Sequence, residues 1–124
     1  MTTILIIIIS ILGLSHNQIG GQKDSNGCLT GAGFQWSNLE KSCIRAFELK
    51  IQLTNSKKSF NAGVLFNSNK SKAEVFSKEG SYILTKYKTD NYSGKLAGKP
   101  ITLHKKNGKW IVSNSQNKIL YSQP

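Results

Sequence analysis

The sequence predicts an all-β fold: a small eight-stranded antiparallel up-and-down barrel with a short N-terminal helix that forms part of a plug. Three observations lead to this fold class. Apolar and polar residues alternate with a period of two, and short apolar runs recur between hairpin-sized connections. The third is Asn107-Gly108, a pair preferred in two-residue hairpin turns. Together they indicate consecutive strands that lie side by side and run antiparallel.

The N-terminal residues 4–14 form an uncharged, apolar run of the length typical of a secretory signal core. The run is too short for a transmembrane helix, which needs ~20 apolar residues. Small residues at Gly13 and Ser15 predict a signal peptide over residues 1–15, with the mature chain beginning at His16. A membrane-retained anchor is the alternative, since no Lys or Arg precedes the run. We therefore expect a protein that is secreted, periplasmic or outer-membrane associated.

Residues 16–27, "HNQIGGQKDSNG", are polar and glycine-rich without periodicity, which predicts a flexible leader. The remaining residues, 28–124, are enough for one hydrophobic core and no second module. We expect a single barrel domain and a monomer.

The helix is predicted from the spacing of Ser37 and Glu40, which matches a capping box and places a short helix over residues 37–45. Arg45, at the end of this segment, is the only arginine of the chain. We expect it to orient the segment through a carboxylate such as Glu48 or Glu40.

The two cysteines, Cys28 and Cys43, flank the same segment. Export with a pair of cysteines favours a disulfide, which would tie the loop before the helix to the helix itself. Phe34 and Trp36 lie between them, and we expect both rings to plug one end of the barrel with the disulfide holding the plug in place.

The first strand is predicted over residues 46–54, where Phe47, Leu49, Ile51 and Leu53 alternate with polar residues. Further strands are predicted at 60–67, 72–77, 81–88, 92–97, 100–106, 109–114 and 118–122. Closure into a barrel removes exposed edges, and inward side chains fill the interior. The bulky residues expected to point inward are Phe47, Leu49, Phe60, Phe66, Leu84 and Trp110. The alternative is a five-stranded, oligonucleotide-binding type of barrel in which some of these strands merge.

Catalytic groups are few. The histidines are His16 and His104, and the acidic residues are Asp24, Glu40, Glu48, Glu74, Glu79 and Asp90. None of them makes a zinc-ligand spacing, a nucleophile elbow or a close pair of carboxylates, and a disulfide would consume both thiols. We therefore expect a protein that is not an enzyme and that uses no cofactor and no metal.

The formal charge is +11, and all but one of the 17 cationic side chains are lysines. Lysines guard strand edges and keep a surface soluble, but they also suit an acidic protein, an anionic lipid or polysaccharide, or a nucleic acid. Tyr87, Tyr92 and Trp110 lie among the lysines, as in single-strand binders. Nucleic acid is the lesser alternative because of the export signal and the near absence of arginine. A small apolar ligand inside the barrel is another alternative, which the bulky inward residues disfavour.

The segments "GAGFQWSNLEKSCIRAFE", "AGVLFNSNKSKAEVF" and "YILTKY" resemble a set of small exported proteins from Bacteroidetes-type bacteria. The resemblance covers residues 28 to about 88. Proteins of similar size and export route include the potempins, inhibitors of the producer's own secreted peptidases. A weaker similarity is to periplasmic lysozyme inhibitors, whose second cysteine lies near the C-terminus. Long-range repulsion between this basic chain and a basic lysozyme also disfavours that reading. The resemblance implies an exported binding or inhibitor module, without assigning inhibitory residues one by one.

We therefore expect an exported binding protein whose function is inhibition of a secreted peptidase. A loop tethered by a disulfide loses little entropy on docking, which places the contact surface on the leader and the plug. The predicted partner-binding residues are Gln22, Lys23, Asp24, Ser25, Asn26, Gly27, Leu29, Thr30, Phe34 and Trp36.

Overall fold

The computed structural model describes residues 22–124. The predicted signal peptide, residues 1–15, and the first part of the predicted leader, residues 16–21, lie outside the described residues. Two short 3-10 turns, Thr30–Ala32 and Ala46–Glu48, accompany the strands. The strands are β1 Phe34–Ser37, β2 Ser42–Arg45, β3 Ile51–Thr54, β4 Asn61–Phe66, β5 Lys72–Ser77, β6 Gly80–Lys88, β7 Asn91–Leu96, β8 Lys99–Lys106, β9 Lys109–Asn114 and β10 Ile119–Ser122.

Strands β3 to β10 form a closed barrel of eight antiparallel strands in which each strand pairs with its neighbours in sequence. The barrel closes where β10 meets β3, with Ser122 opposite Thr54. This confirms the predicted barrel and excludes the five-stranded alternative. The observed bounds of β5 and β9 coincide with the predicted strands over 72–77 and 109–114.

The turns between these strands have the chemistry that the sequence predicted. Asn107 and Gly108 both have positive φ, at 53° and 79°, as do Ala97 and Gly98, at 52° and 79°. Two consecutive positive φ values are the mark of a type I′ turn, whose twist matches the twist of the strands that it joins. Such tight turns hold consecutive strands in register.

The core fills the barrel interior with side chains from every strand of the barrel. Its largest buried members include Leu53, Leu84, Leu103, Tyr92 and Trp110, and Phe66 packs against them. Leu84 and Trp110 were predicted to point inward, and they do.

Three of the bulky residues predicted to point inward, Phe47, Leu49 and Phe60, do not. Leu49 lies on the outer wall, where one of its methyl groups is close to Gly63 of β4. Phe47 is 64% exposed and Phe60 is 44% exposed. The first barrel strand begins only at Ile51, because residues 46–48 form a 3-10 turn. The Gln52 side-chain amide donates to the carbonyls of Ala46 and Leu49, at 2.8 and 2.7 Å, and so holds the turn out of the sheet.

The predicted helix over residues 37–45 is wrong, since this segment is the turn and second strand of a hairpin. β1 and β2 pair antiparallel, with Phe34 opposite Arg45 and Ser37 opposite Ser42. The Ser37 hydroxyl still accepts the N–H of Glu40, at 3.0 Å. That capping bond satisfies a backbone donor in a hairpin loop as well as in a first helical turn. The capping-box spacing therefore marked the loop of the hairpin.

The predicted plug is wrong as well, because the hairpin packs on the outer wall of the barrel. Glu74 lies on β5 between Ala73 and Val75, which point inward, so its side chain points outward. Its fully buried carboxylate accepts the Ser37 hydroxyl at 2.8 Å and the backbone N–H groups of Asn38 and Leu39 at 3.0 and 3.2 Å. These three bonds fasten the hairpin loop to the side of the barrel.

Close backbone contact brings the following turn onto the same wall. A Cβ added to Gly63 on β4 would lie 2.7 Å from the carbonyl oxygen of Ala46 and 2.9 Å from a methyl of Leu49. Only glycine allows this approach, since real Cβ atoms do not come so near to a backbone oxygen. Phe34 and Trp36, carried by the hairpin, are therefore not plugs of a barrel end.

We expect Glu74→Gln to destabilise the protein by about 1–3 kcal/mol, because a glutamine amide offers one oxygen and one NH₂ group where three donors converge. Urea unfolding followed by circular dichroism measures this. The matched control is Glu40→Gln, which removes the same charge from an exposed side chain in the same loop and should change stability by about 0.5 kcal/mol or less. Equal stability of the two variants would contradict the role given to Glu74.

Three tyrosines of the barrel are buried and are difficult to ionise. Burial, with a hydrogen bond to the Glu79 carboxylate at 3.0 Å, raises the pKa of Tyr121 to about 12. Burial also raises the pKa of Tyr82, aided by Tyr121 and Glu79. The pKa of Tyr92 is raised by burial and then by the nearby Asp90. In the folded protein these groups therefore stay neutral above pH 10, where an unfolded chain loses protons.

A raised folded-state pKa gives stability that is fully present below the unfolded value of 10.0 and is lost as the pH rises toward the folded value. In Tyr87→Phe, which removes the exposed tyrosine, we expect tyrosinate absorbance at 295 nm to rise in a single step. That step should coincide with the loss of the circular dichroism signal above pH 10. A gradual rise around pH 10 with the fold intact would contradict the burial of these rings.

Candidate functional site

Residues 22–30 form a compact loop with its own hydrogen bonds, where the sequence predicts a flexible leader up to residue 27. One oxygen of the Asp24 carboxylate accepts the N–H groups of Asn26 and Cys28, both at 2.9 Å. Backbone bonds join Asp24 N–H to the Cys28 carbonyl and Gly27 N–H to the Asp24 carbonyl, each at 3.0 Å. Aspartate holds such turns because its short side chain reaches the backbone two residues on.

The two ends of this loop are also joined. Lys23 and Leu29 form an isolated antiparallel bridge, and the N–H of Thr30 donates to the Gln22 carbonyl at 3.1 Å. Ser25 to Gly27 therefore stand at the tip of a closed loop. The non-periodic sequence gave no sign of this, because turn bonds of this kind leave no repeating pattern.

The predicted disulfide between Cys28 and Cys43 is confirmed, with Cα atoms 5.5 Å apart. Cys43 is opposite Trp36 in the hairpin, and directly opposed residues share a face. Ser37 points to the barrel, so Trp36, Cys43 and Phe34 lie on the other face. The disulfide thus fastens the loop over the face of the hairpin that points away from the barrel.

Arg45 pairs with one of the carboxylates predicted for it, although the segment that carries it is a hairpin and not a plug. Its guanidinium lies 4.3 Å from the centre of the Phe34 ring and forms an ion pair with Glu48 at 3.2 Å. Both partners of the ion pair are partly exposed, so the pair contributes little to stability and serves mainly to fix side-chain positions.

The structure brings most of the predicted contact residues together at the loop. Phe34, Leu29, Gly27 and Cys43 enclose a shallow cavity of about 180 Å³. The exposed members are Gln22, Lys23, Ser25, Asn26, Gly27 and Thr30, whereas Asp24, Leu29, Phe34 and Trp36 are half-buried. The half-buried residues support the loop from within, and the exposed residues form the part of its surface that faces solvent.

Phe47 is a further surface residue that the sequence analysis missed. Its exposed ring lies against Gly33, where an added Cβ would come within 2.8 Å of the ring. Gly33 has a φ of 88°, a conformation that favours glycine. Because Phe47 continues the alternation of the first strand, the sequence contains no signal that separates it from that strand. Residues 22–30 together with Phe47 are called the N-terminal surface below.

The chemistry available in residues 22–124 suits binding. Within that range no group of three or more His, Cys, Asp or Glu side chains is placed to hold a metal ion. His104 alternates with the buried Leu103 on β8 and lies on the outer face, opposite Asn91 and Ile111. The exposed loop tip offers backbone groups and small polar side chains that can donate and accept hydrogen bonds.

Comparison of the chain with protein-family models, curated proteins and solved structures finds no match. No helix within the part of the chain that the structure describes is long and apolar enough to cross a membrane.

We expect Asp24→Ala to speed hydrogen exchange of the Cys28 amide by about tenfold, since this backbone donor loses its acceptor. Asp24→Asn is the matched control, because the asparagine amide oxygen can still accept the same bond. Exchange measured by NMR should therefore stay close to wild type in the control. Equal exchange rates in the two variants would show that the carboxylate does not hold the loop.

Proposed function

We propose that this chain is an exported, non-enzymatic binding protein that inhibits a secreted peptidase through its N-terminal surface. The observation that supports the proposal is the preformed loop of residues 22–30, closed by its own backbone bonds and fastened by the disulfide. The resemblance of residues 28 to about 88 to small exported inhibitors points to the same function.

Preorganisation is what a tight inhibitor needs, because binding otherwise orders a flexible segment. Fixing the backbone of one residue costs about 1–2 kcal/mol. In the chain-entropy model, a disulfide between cysteines 15 residues apart lowers the conformational entropy of the unfolded chain. For a loop of this length the effect is worth about 3 kcal/mol of stability. The loop is already ordered before it binds a partner. Binding therefore loses less conformational entropy, and the affinity is higher.

The arrangement of side chains suits entry into a cleft. The tip at Ser25 to Gly27 is small and polar, so it fits a narrow groove without a steric penalty. Phe47, near the base of the loop, offers an exposed aromatic ring of the kind that anchors protein interfaces. Asp24 and the disulfide resist the opening of the loop that cleavage by the target would require.

Export is part of the same proposal. The apolar run at residues 4–14 predicts secretion, and disulfides persist in oxidising compartments such as the periplasm and the extracellular space. A peptidase that acts outside the cytoplasm would meet the inhibitor there.

The test is a fluorescent-casein assay on single peptidase activities separated from the secreted fraction of the producing organism. Residues 16–124, the predicted mature chain, are added in increasing amounts. We expect saturable inhibition of one peptidase, and about tenfold weaker inhibition by Asp24→Ala, because a smaller fraction of its loops is in the binding conformation. Cys28→Ser with Cys43→Ser should weaken inhibition at least as much.

Asp24→Asn is the control and should inhibit like the wild type. Circular dichroism confirms that each variant keeps the barrel. Absence of inhibition at an excess of the chain would contradict the proposal. So would equal inhibition by Asp24→Ala and Asp24→Asn.

A further inference from the structure

The end of the barrel at which β4, β6 and β8 finish contains a cavity of about 500 Å³. Volumes of 300–1,000 Å³ are typical of small-molecule sites. The cavity shares no residue with the N-terminal surface, so a ligand here would be a second function beyond the proposed one. We call this end the mouth.

Three aromatic rings form the floor of the mouth. The centre of the Phe66 ring lies 5.3 Å from that of Tyr92 and 5.2 Å from that of Trp110, and the Tyr92 and Trp110 rings are 6.0 Å apart. The rings are tilted or edge-on to one another, as aromatic clusters prefer. Tyr92 and Trp110 are buried and Phe66 is half-buried, so a planar group can contact the parts of these rings that line the cavity.

The rim of the mouth is positively charged. Lys50, Lys70 and Lys105 line the cavity with Asp90 as the one acidic side chain, which leaves three positive charges against one negative. The Lys105 ammonium lies 5.5 Å from the centre of the Trp110 ring. Cationic groups are therefore placed directly beside the aromatic floor.

The rim is also held in place by the fold. The Tyr92 hydroxyl donates to the Lys70 carbonyl at 2.7 Å, which fixes the connection between β4 and β5. The backbone N–H of Lys105 donates to the Asp90 carbonyl at 3.1 Å, which fixes the turn between β6 and β7 against β8. A site whose walls are already positioned loses little entropy when a ligand binds.

The opposite end of the barrel has a cavity with a different lining. Its cavity, about 240 Å³, is lined by one cation and one anion, Lys78 and Glu79, so their charges balance. The Glu79 carboxylate there accepts the Tyr121 hydroxyl at 3.0 Å. The combination of an aromatic floor and excess positive charge distinguishes the mouth.

We propose that the mouth binds a small organic anion with a planar apolar body, such as an aromatic carboxylate. The body packs against the parts of Phe66, Tyr92 and Trp110 that line the cavity, and the anionic group meets Lys50, Lys70 and Lys105. Neither part suffices by itself, because exposed ion pairs are weak and stacking is indifferent to charge.

The test compares 2-naphthoate with neutral 2-naphthamide, which has the same planar body. Titrations of residues 16–124 are followed by calorimetry and by ¹H–¹⁵N NMR. We expect naphthoate to bind about tenfold more tightly than naphthamide, with NMR shifts confined to the mouth and to the Trp110 indole N–H. Raising the salt concentration from about 20 to about 500 mM screens exposed charges. It should therefore remove most of the difference in affinity between naphthoate and naphthamide.

Lys105→Gln should weaken naphthoate binding about threefold to tenfold and leave naphthamide binding unchanged. Lys118→Gln is the matched control, since Lys118 is an exposed lysine before β10, at the opposite end, and its loss lowers the net charge by the same amount. Equal weakening by the two variants, equal binding of the two probes, or NMR shifts spread over lysines at both ends would overturn the proposal. Failure of peptidase inhibition would leave these measurements unaffected.

Discussion

The buried carboxylate of Glu74 decides where the N-terminal third of the described chain lies. Its charge has no cationic partner, since Arg45 with Glu48 is the one ion pair within residues 22–124. Three hydrogen bonds from the hairpin loop, all at 3.2 Å or less, replace the water that a carboxylate loses on burial. A charge buried without such donors would cost several kcal/mol, about the whole margin of a small domain. The burial of Glu74 in the barrel wall therefore depends on the donors of the hairpin loop, and the position of that loop depends on Glu74.

The loop of residues 22–30 depends on that same contact through a chain of covalent and hydrogen-bonded links. Glu74 fixes the β1–β2 hairpin, the hairpin carries Cys43, and the disulfide carries Cys28 and the turn that Asp24 closes. The result is an exposed loop held at a set position relative to the barrel. In this way a small chain holds an exposed loop in place without a large core to support it.

The barrel could be predicted from sequence because its determinants are local. Alternation and turn residues fix β5 and β9 to the residue, and Asn107-Gly108 fixes the turn between β8 and β9. The hairpin was mistaken for a helix because the bond from Glu40 N–H to Ser37 belongs to both structures. Phe47 was placed in the barrel because the alternation continues past the point at which Gln52 holds the chain out of the sheet. The role of Glu74 had no local signal, since its partners lie 35 to 37 residues away.

The position of the hairpin also decides what happens at the barrel ends. In an up-and-down barrel successive connections alternate between the two ends, so the connections that carry Lys70 and Asp90 meet at the mouth. The chain enters β3 at the same end through Lys50, and Lys105 lies near the end of β8. An aromatic plug would have covered these groups and the Trp110 ring. Because the Glu74 contact holds the hairpin against the side wall, the hairpin does not cover this end, and the lysines and the aromatic rings line one cavity there. The contact made by one buried carboxylate thus keeps two surfaces apart, the tethered loop on the wall and the basic aromatic cavity at the end.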